Sequence, residues 1–291
     1  MGVGFDCDVT VPESTAKVVN LVIYAYGDDG SDQEQKRVIA VSTIIGYEDW
    51  WEQVEADWVV RCGGIPFHAT DCESDFGAYK CIPHEQNKAM YRDLVGILAA
   101  SRLGGIGVAI DLSAKKDVFP HSLAPDYYRA FQECIVRAAK VAENLGEIVE
   151  MTFDISMENE YNAGLLYSYM RGTDNTLSKW LHPKISFVPW RQSPRVQTAD
   201  LLAYEAWKAL DHTVGPIKRT RRSWETLRAT QRFETLSYST DWFRDLKKHI
   251  DSGELEKTVG FKESDYIDWL KATDRKHSIS NLIHFLGSRG Q

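Results

Sequence analysis

Several apolar stretches of the sequence run directly into aspartates. These are Asp28 and Asp29 after residues 21–26, Asp111 after residues 108–110, and Asp154 after residues 151–153. Hydrolysis of phosphodiester bonds by two Mg²⁺ or Mn²⁺ ions needs acids that converge from different elements, because hard cations bind oxygen ligands around a shared centre. Acids at strand ends also serve as solvated loop residues or helix caps, so each position alone supports either interpretation.

Asp200 is a further acid, and its surroundings favour a metal ligand. The pair Ser193-Pro194 predicts a helix that starts with a cap residue and a proline and continues to about Leu210. Asp200 falls in the second turn, on an otherwise apolar face, where an uncompensated carboxylate is costly. The alternative is a salt bridge to Arg191 or Arg195.

Apolar runs predict the strands that position these acids. They cover residues 21–26, 38–45, 106–110, 148–153 and 185–188. Between them, apolar residues recur at helical spacing around residues 51–58, 91–98 and 127–138. Strands that alternate with helices predict an α/β fold, a mixed sheet with helices on its faces. The predicted core spans residues 18–212.

Residues 213–291 are predicted to form a basic linker and a C-terminal helical appendage that packs on the core. Helical patterns occur at residues 242–250, 266–270 and 279–286. The basic run from Lys218 to Arg222, with Trp224 close by, predicts a nucleic-acid contact through phosphates and a stacked base. A solvated basic turn is the alternative.

Composition narrows the class of protein. The chain has 291 residues, of which 43% are hydrophobic, and a net charge of −8. This negative net charge excludes nucleic-acid binding through the overall electrostatic field of the protein. Such binding therefore needs a local basic surface or bound metal ions. The sequence has no apolar run of about 18 residues and no secretory signal, which predicts a cytoplasmic protein without membrane contact. Five scattered cysteines argue against a disulfide framework.

The motifs together resemble the domain-of-unknown-function 3800 family, over roughly residues 20 to 230. The resemblance rests on Gly27-Asp-Asp-Gly-Ser31, Phe67-His-Ala-Thr-Asp71, the strand that ends at Asp154, Ser193-Pro-Arg-Val-Gln-Thr-Ala-Asp-Leu-Leu-Ala-Tyr204, and Ser223-Trp-Glu-Thr-Leu227. Its most specific part runs from Gln197 to Tyr204. The pattern of that family is similar to ribonuclease H-like nucleases.

This resemblance implies a ribonuclease H-like sheet with acids on the first strand, a later strand and the last core helix. Carried over, these are Asp28 or Asp29, Asp154 and Asp200. The family typically has Asp-Glu-Ser-Gly after its first strand, whereas this chain has Asp28-Asp29-Gly30-Ser31. Aspartate in place of glutamate keeps the charge but shortens the reach by one methylene.

Two further groups of residues have side chains that could do chemistry. His68 and Asp71 lie three residues apart in a predicted loop, where they could orient a water molecule or bind a second metal, with local hydrogen bonding as the alternative. A zinc site is a weaker interpretation because the second close-spaced ligand pair is missing. Its ligands would come from Cys62, His68, Cys72, Cys81 and His84.

The sequence thus predicts a ribonuclease H-like nuclease that hydrolyses phosphodiester bonds with Mg²⁺ or Mn²⁺. Its metal ligands are Asp28, Asp29, Asp154 and Asp200, and His68 and Asp71 assist. No G-x-x-x-x-G-K-[ST] loop and no G-x-S-x-G elbow occurs, so ATP hydrolysis and serine-esterase chemistry have no support. The alternatives are a catalytically silent module that binds nucleic acid or a protein partner, and an unrelated metal-dependent phosphoesterase.

Overall fold

The described residues form one mixed six-stranded sheet with helices on both faces. The computed structural model describes residues 22–32, 37–120, 126–155 and 160–252. The strands are β1 (Val22–Ser31), β2 (Val38–Gly46), β3 (Gly104–Asp111), β4 (Ile148–Asp154), β5 (Leu181–Val188) and β6 (Phe233–Tyr238). Their order across the sheet is β5-β4-β1-β2-β3-β6. The predicted mixed α/β sheet is therefore confirmed.

The first strand lies in the middle of this sheet and is longer than the sequence pattern predicts. β1 pairs with β2 in antiparallel orientation and with β4 in parallel orientation. It continues past Gly27, where a Cβ atom would lie 2.3 Å from the ring of Phe153, so only glycine fits against that ring. Asp28 and Asp29 are thus inside the strand rather than at its end, and β1 and β2 pair as a hairpin.

Helices cover the sheet in two layers. They are α1 (Glu48–Cys62), α2 (Ala69–Ser74), α3 (His84–Ala100), α4 (Leu112–Val118), α5 (Asp126–Leu145), α6 (Glu160–Thr173), α7 (Asn175–Trp180), α8 (Pro194–Val214), α9 (Arg222–Ala229) and α10 (Thr240–Asp251). One core, built around α5, packs on the sheet face that carries Ile23 and Ala25. The other core lies on the opposite face, where α8 packs directly on the sheet and α1, α3 and α9 cover it.

The helix α8 begins where its cap predicts and lies close against the strands. Ser193 Oγ accepts a hydrogen bond from the backbone N–H of Val196 at 3.3 Å, with Pro194 as the first helical residue. Gly105 and Gly107 of β3 allow the close approach, because a Cβ atom on Gly107 would lie 2.5 Å from that of Ala206. This contact fixes the depth of Asp200 over the sheet.

The C-terminal region contributes a strand to the sheet as well as helices. β6 extends the sheet by pairing in parallel with β3, and sequence periodicity did not predict it. The predicted helix at residues 242–250 is present within α10, whose Phe243 is buried in the core around α5. The predicted helices at residues 266–270 and 279–286 lie outside the described residues. No helix in the described ranges is long and apolar enough to cross a membrane.

Candidate functional site

Asp28 and Asp29 alternate across β1 and therefore face different helices. Because successive strand residues point to opposite faces, Asp28 lies on the α8 side and Asp29 on the α5 side. Asp28 is buried, Asp29 is half-buried, and the backbone N–H of Asp29 donates to Asp28 Oδ1 at 2.7 Å. Asp29 in turn raises the pKa of Tyr127 on α5, which adds to the larger effect of burial.

Asp154 lies beside Asp28 at the end of the neighbouring parallel strand. Gly27 pairs with Phe153, so the next residue of each strand lies at the same level on the same face. The backbone N–H of Trp190 donates to Asp154 Oδ1 at 2.7 Å, which fixes the carboxylate from the turn that precedes α8.

Asp200 completes the group from α8. Its side chain is buried, and Oδ2 accepts a hydrogen bond from the backbone N–H of Ala69 at 2.6 Å. The salt-bridge alternative is wrong, since Arg195 pairs with Glu48 and Glu55 instead. Arg191 lies over the ring of Trp190. Asp200 is thus a buried acid that no arginine neutralises within the described part of the chain.

Burial raises the pKa of all four carboxyl groups. The pKa rises to about 6 for Asp29 and for Asp200, and it lies well above its ordinary value for Asp28. Desolvation is the largest cause each time, and for Asp28 and Asp29 the next cause is the negative charge of the other aspartates. Asp154 shows a raised pKa as well, which backbone hydrogen bonds from Trp190 and Ile155 partly offset.

These raised pKa values predict how stability depends on pH in the metal-free protein. An aspartate with a pKa near 3.9 when unfolded and about 6 when folded holds its proton more tightly in the folded state, so stability falls as pH rises through that window. In urea unfolding with EDTA, Asp200→Asn should gain stability over the wild type, by roughly 2 kcal/mol more at pH 7.5 than at pH 4.5. A gain that does not change with pH would contradict the raised pKa.

His68 and Asp71 lie next to these acids. Nδ1 of His68 is 3.3 Å from Asp71 Oδ2, at an angle that leaves the nitrogen without a hydrogen bond. The imidazole stacks on Trp190 at 5.1 Å between ring centroids, and its positive charge would lower the pKa of both Asp154 and Asp200. The structure therefore places this pair at the edge of the acid group. The predicted loop is wrong, because His68 is the residue before α2 and Asp71 lies within that helix.

Gln197 holds this site together, and its role was not predicted. Its Oε1 accepts from the indole N–H of Trp58 at 3.3 Å and from the backbone N–H of Phe67 at 3.0 Å, while Nε2 donates to the carbonyl of Trp190 at 3.0 Å. One amide thus joins α8 to α1, to the segment that carries His68 and to the turn that holds Asp154. Its sequence signal was its place at the start of the motif that runs from Gln197 to Tyr204, three residues before Asp200.

Replacing Gln197 with methionine should destabilise the protein by roughly 2–4 kcal/mol, because a buried indole, a buried amide and a carbonyl all lose their partner. Urea unfolding measures this change. Gln192→Met is the matched control on an exposed glutamine of the same turn and should stay within about 0.5 kcal/mol of the wild type. Equal effects of both substitutions would contradict the bridging role.

The chemistry of the acid group fits a hard divalent cation. It offers several carboxylate oxygens from three elements, and none of the four forms an ion pair with a lysine or arginine of the described residues. Within the described ranges, however, no three His, Cys, Asp or Glu side chains stand as a ready-made metal site. The negative charges of the neighbouring aspartates raise the pKa of Asp28 and Asp29, and a bound divalent cation would offset this repulsion.

Two other candidate sites do not form. The zinc ligands suggested by spacing do not converge: Cys62 and Cys72 are buried free thiols, Cys81 is exposed, and His84 Nδ1 lies 2.7 Å from Asp75. The strand-end acid Asp111 is a helix cap, accepting from the backbone N–H of Ala114 at 2.9 Å.

The basic segment is only partly available to a ligand. Arg221 is almost fully buried in ion pairs with Glu205 and Glu73, and Lys218 donates to the carbonyl of Thr213. Trp224 is buried in the core, so the predicted stacking of a base on it is wrong. The exposed cations that remain from this segment are Lys218, Arg219 and Arg222.

Comparison with known proteins found no family model that matches the chain and no curated protein that matches it. The site is therefore interpreted from its own residues.

Proposed function

We propose that this chain is a metal-dependent hydrolase of phosphodiester bonds, with nucleic acid as its substrate. The observation that carries the proposal is the meeting of Asp28, Asp154 and Asp200 from two strands and a helix, the first and last buried and Asp154 half-buried, without an ion pair to a lysine or arginine among the described residues. Such a group is unstable by itself, and a divalent cation stabilises it. Asp29 adds a fourth carboxylate from the other face of β1.

The fold and the sequence motifs support a ribonuclease H-like assignment within this proposal. The first strand is central, with an antiparallel meander on one side and parallel strands on the other, and the acids come from that strand, the next parallel strand and the helix that follows the sheet. The resemblance to the domain-of-unknown-function 3800 family points to the same residues. Its Asp-Glu pattern corresponds here to Asp28-Asp29.

Bound Mg²⁺ or Mn²⁺ would activate water and stabilise the leaving oxygen. The residues of the chain bind and orient: Asp28, Asp154 and Asp200 hold the metal, while the amides of Trp190 and Ala69 fix two of those carboxylates. His68, whose Nδ1 lies 3.3 Å from Asp71 Oδ2, stands beside the acids and is placed to hold a proton during hydrolysis, with Asp71 next to it.

A melting experiment with Mn²⁺ tests the proposed metal site. Mn²⁺ should raise the melting temperature of the wild type, because it binds the folded state only, and should leave Asp200→Asn unshifted. Asp111→Asn is the matched control, since it changes a buried strand-end aspartate that caps a helix, where asparagine serves equally well. Equal shifts for wild type and Asp200→Asn, or no shift for either, would refute the site.

Two observations favour the alternative, a catalytically silent module that binds nucleic acid or a protein. The chain has Asp29 where the family that it resembles typically has glutamate, and its net charge is −8. Retained binding of DNA or RNA without cleavage, in Mn²⁺ as in EDTA, would select this alternative. Turnover of small phosphodiesters but not of polymers would instead indicate an unrelated phosphoesterase.

A further inference from the structure

A cleft lies at the end of the sheet opposite to the acids. It has a volume of ≈ 500 Å³ and opens between the C-terminal half of α5 and the start of β1 and β3. Ile23 lines it, five residues before Asp28, so roughly 17 Å of strand separates the cleft from the acid group. The proposed hydrolysis does not use this cleft, and its volume suits a small organic ligand.

The walls of the cleft combine apolar surface with positive charge. Val141 and Leu145 on α5 remain 39% and 50% exposed, although they face the isoleucines of the sheet across the cleft. Tyr47 and Trp50 form an aromatic wall, with their ring centroids 4.8 Å apart. This surface would stabilise an apolar or aromatic body of a ligand by taking it out of water.

Four cations and one acid, Glu234, line the same cleft. Two of the cations have acid partners on α5: Arg137 pairs with Glu133 and Lys140 with Glu143. The other two, Arg102 and Arg232, form no ion pair with any residue in the described ranges. Arg102 lies over the ring of Trp50 at 5.3 Å, and Arg232 donates to the carbonyl of Ala99 at 2.8 Å. Both guanidinium groups retain donors for an anion.

The backbone beside Arg232 is also unusual. Gln231 has φ of 59°, in the left-handed region that a non-glycine residue adopts at a cost of roughly 1 kcal/mol. This conformation reverses the chain between α9 and β6 and places both Gln231 and Arg232 on the cleft wall.

We propose that this cleft binds a small amphipathic organic anion, whose apolar or aromatic body packs against Tyr47, Val141 and Leu145 and whose anionic group is bound by Arg102 and Arg232. A nucleoside monophosphate and a medium-chain carboxylate share this chemistry. The proposal is independent of the metal site, because none of its residues belongs to the acid group.

Binding of the anionic dye 1-anilinonaphthalene-8-sulfonate to the full chain tests the cleft. The wild type should bind the dye at one saturable site, and Arg102→Gln/Arg232→Gln should weaken the affinity at least tenfold, because each lost charged hydrogen bond reduces it. Leu145→Asp should weaken binding to a similar degree. Arg244→Gln, on an exposed arginine of α10, is the control and should bind as the wild type does.

Competition between the dye and known anions identifies which kind of anion the cleft binds. Displacement of the dye by adenosine monophosphate or by decanoate supports the proposal and tells the two sources apart, whereas displacement by inorganic phosphate alone, or by none of these, overturns it. Equal dye affinity in the wild type and the double variant overturns it as well. The Mn²⁺ melting shift should persist in the double variant, so failure of the cleft and failure of the metal site are distinguishable.

Discussion

Cleavage of labelled nucleic acid in Mn²⁺ should fall on the order of 100- to 1000-fold when Asp28 is replaced by asparagine. Asp28 lies on the α8 face of β1 with Asp154 and Asp200, and burial together with the negative charges of Asp200, Asp29 and Asp154 raises its pKa well above its ordinary value. Asparagine keeps the shape but removes the charge that would hold the metal, so transition-state stabilisation is lost. Single-turnover cleavage of single- and double-stranded DNA and RNA measures the effect.

Two variants serve as comparisons for Asp28→Asn. Asp111→Asn changes the other buried strand-end acid of the sheet and should cleave at the wild-type rate, because Asp111 only caps α4. Asp29→Asn should lose less activity than Asp28→Asn, since alternation along β1 turns Asp29 towards α5 and away from α8. Asp28→Asn with wild-type cleavage would disprove the metal role, and a smaller loss there than in Asp29→Asn would reverse the assignment on β1.

Local patterns were sufficient to predict the elements that carry the site. Continuous apolar runs gave β1, β2, β3 and β4, and the cap at Ser193 with the helical spacing beyond it gave α8. The prediction for Asp200 relied on one physical argument, the cost of an acid on an apolar helix face. A salt bridge could also neutralise such an acid, and only the three-dimensional contacts of Arg191 and Arg195 exclude it.

Other features depend on tertiary contacts that sequence periodicity does not record. β6 is a short edge strand, mostly half-buried or exposed, and its pairing with β3 is what makes it a strand. The face of Asp29 depends on where β1 ends, and the apolar run that predicts this strand stops at residue 26, before the strand does. Gln197 and Trp190 bridge segments far apart in the chain, so no local pattern reveals them.

The charge pattern of the basic segment likewise does not show its tertiary contacts, and one of its arginines is expected to have a large effect on stability. As a charge pattern, Lys218 to Arg222 predicted a solvent-exposed ligand surface, yet Arg221 is 8% exposed and binds Glu205, whose carboxylate is fully buried. Arg221 also pairs with Glu73 at 3.0 Å. Its guanidinium therefore connects α2 to α8. Helix α2 begins with Ala69, whose backbone N–H binds Asp200, and it also contains Asp71.

Replacing Arg221 with alanine should destabilise the protein by about 3–5 kcal/mol, because Glu205 then remains buried without a counter-charge. Tyr91 still donates to Glu205, at 2.5 Å, but one hydrogen bond does not replace a paired cation. Urea unfolding measures the change. Arg222→Ala, on the exposed neighbour, should stay within about 0.5 kcal/mol of the wild type.

A double variant separates this structural role of Arg221 from one in binding nucleic acid. Glu205→Gln added to Arg221→Met removes the stranded charge, so the pair should be more stable than Arg221→Met alone, with a coupling of roughly 1–3 kcal/mol. A ligand-binding arginine on the surface would show no such coupling, and its loss would cost little stability. Additive effects of the two substitutions would contradict the structural role. Arg221 would then count, like Arg219 and Arg222, as a cation that a nucleic acid could contact.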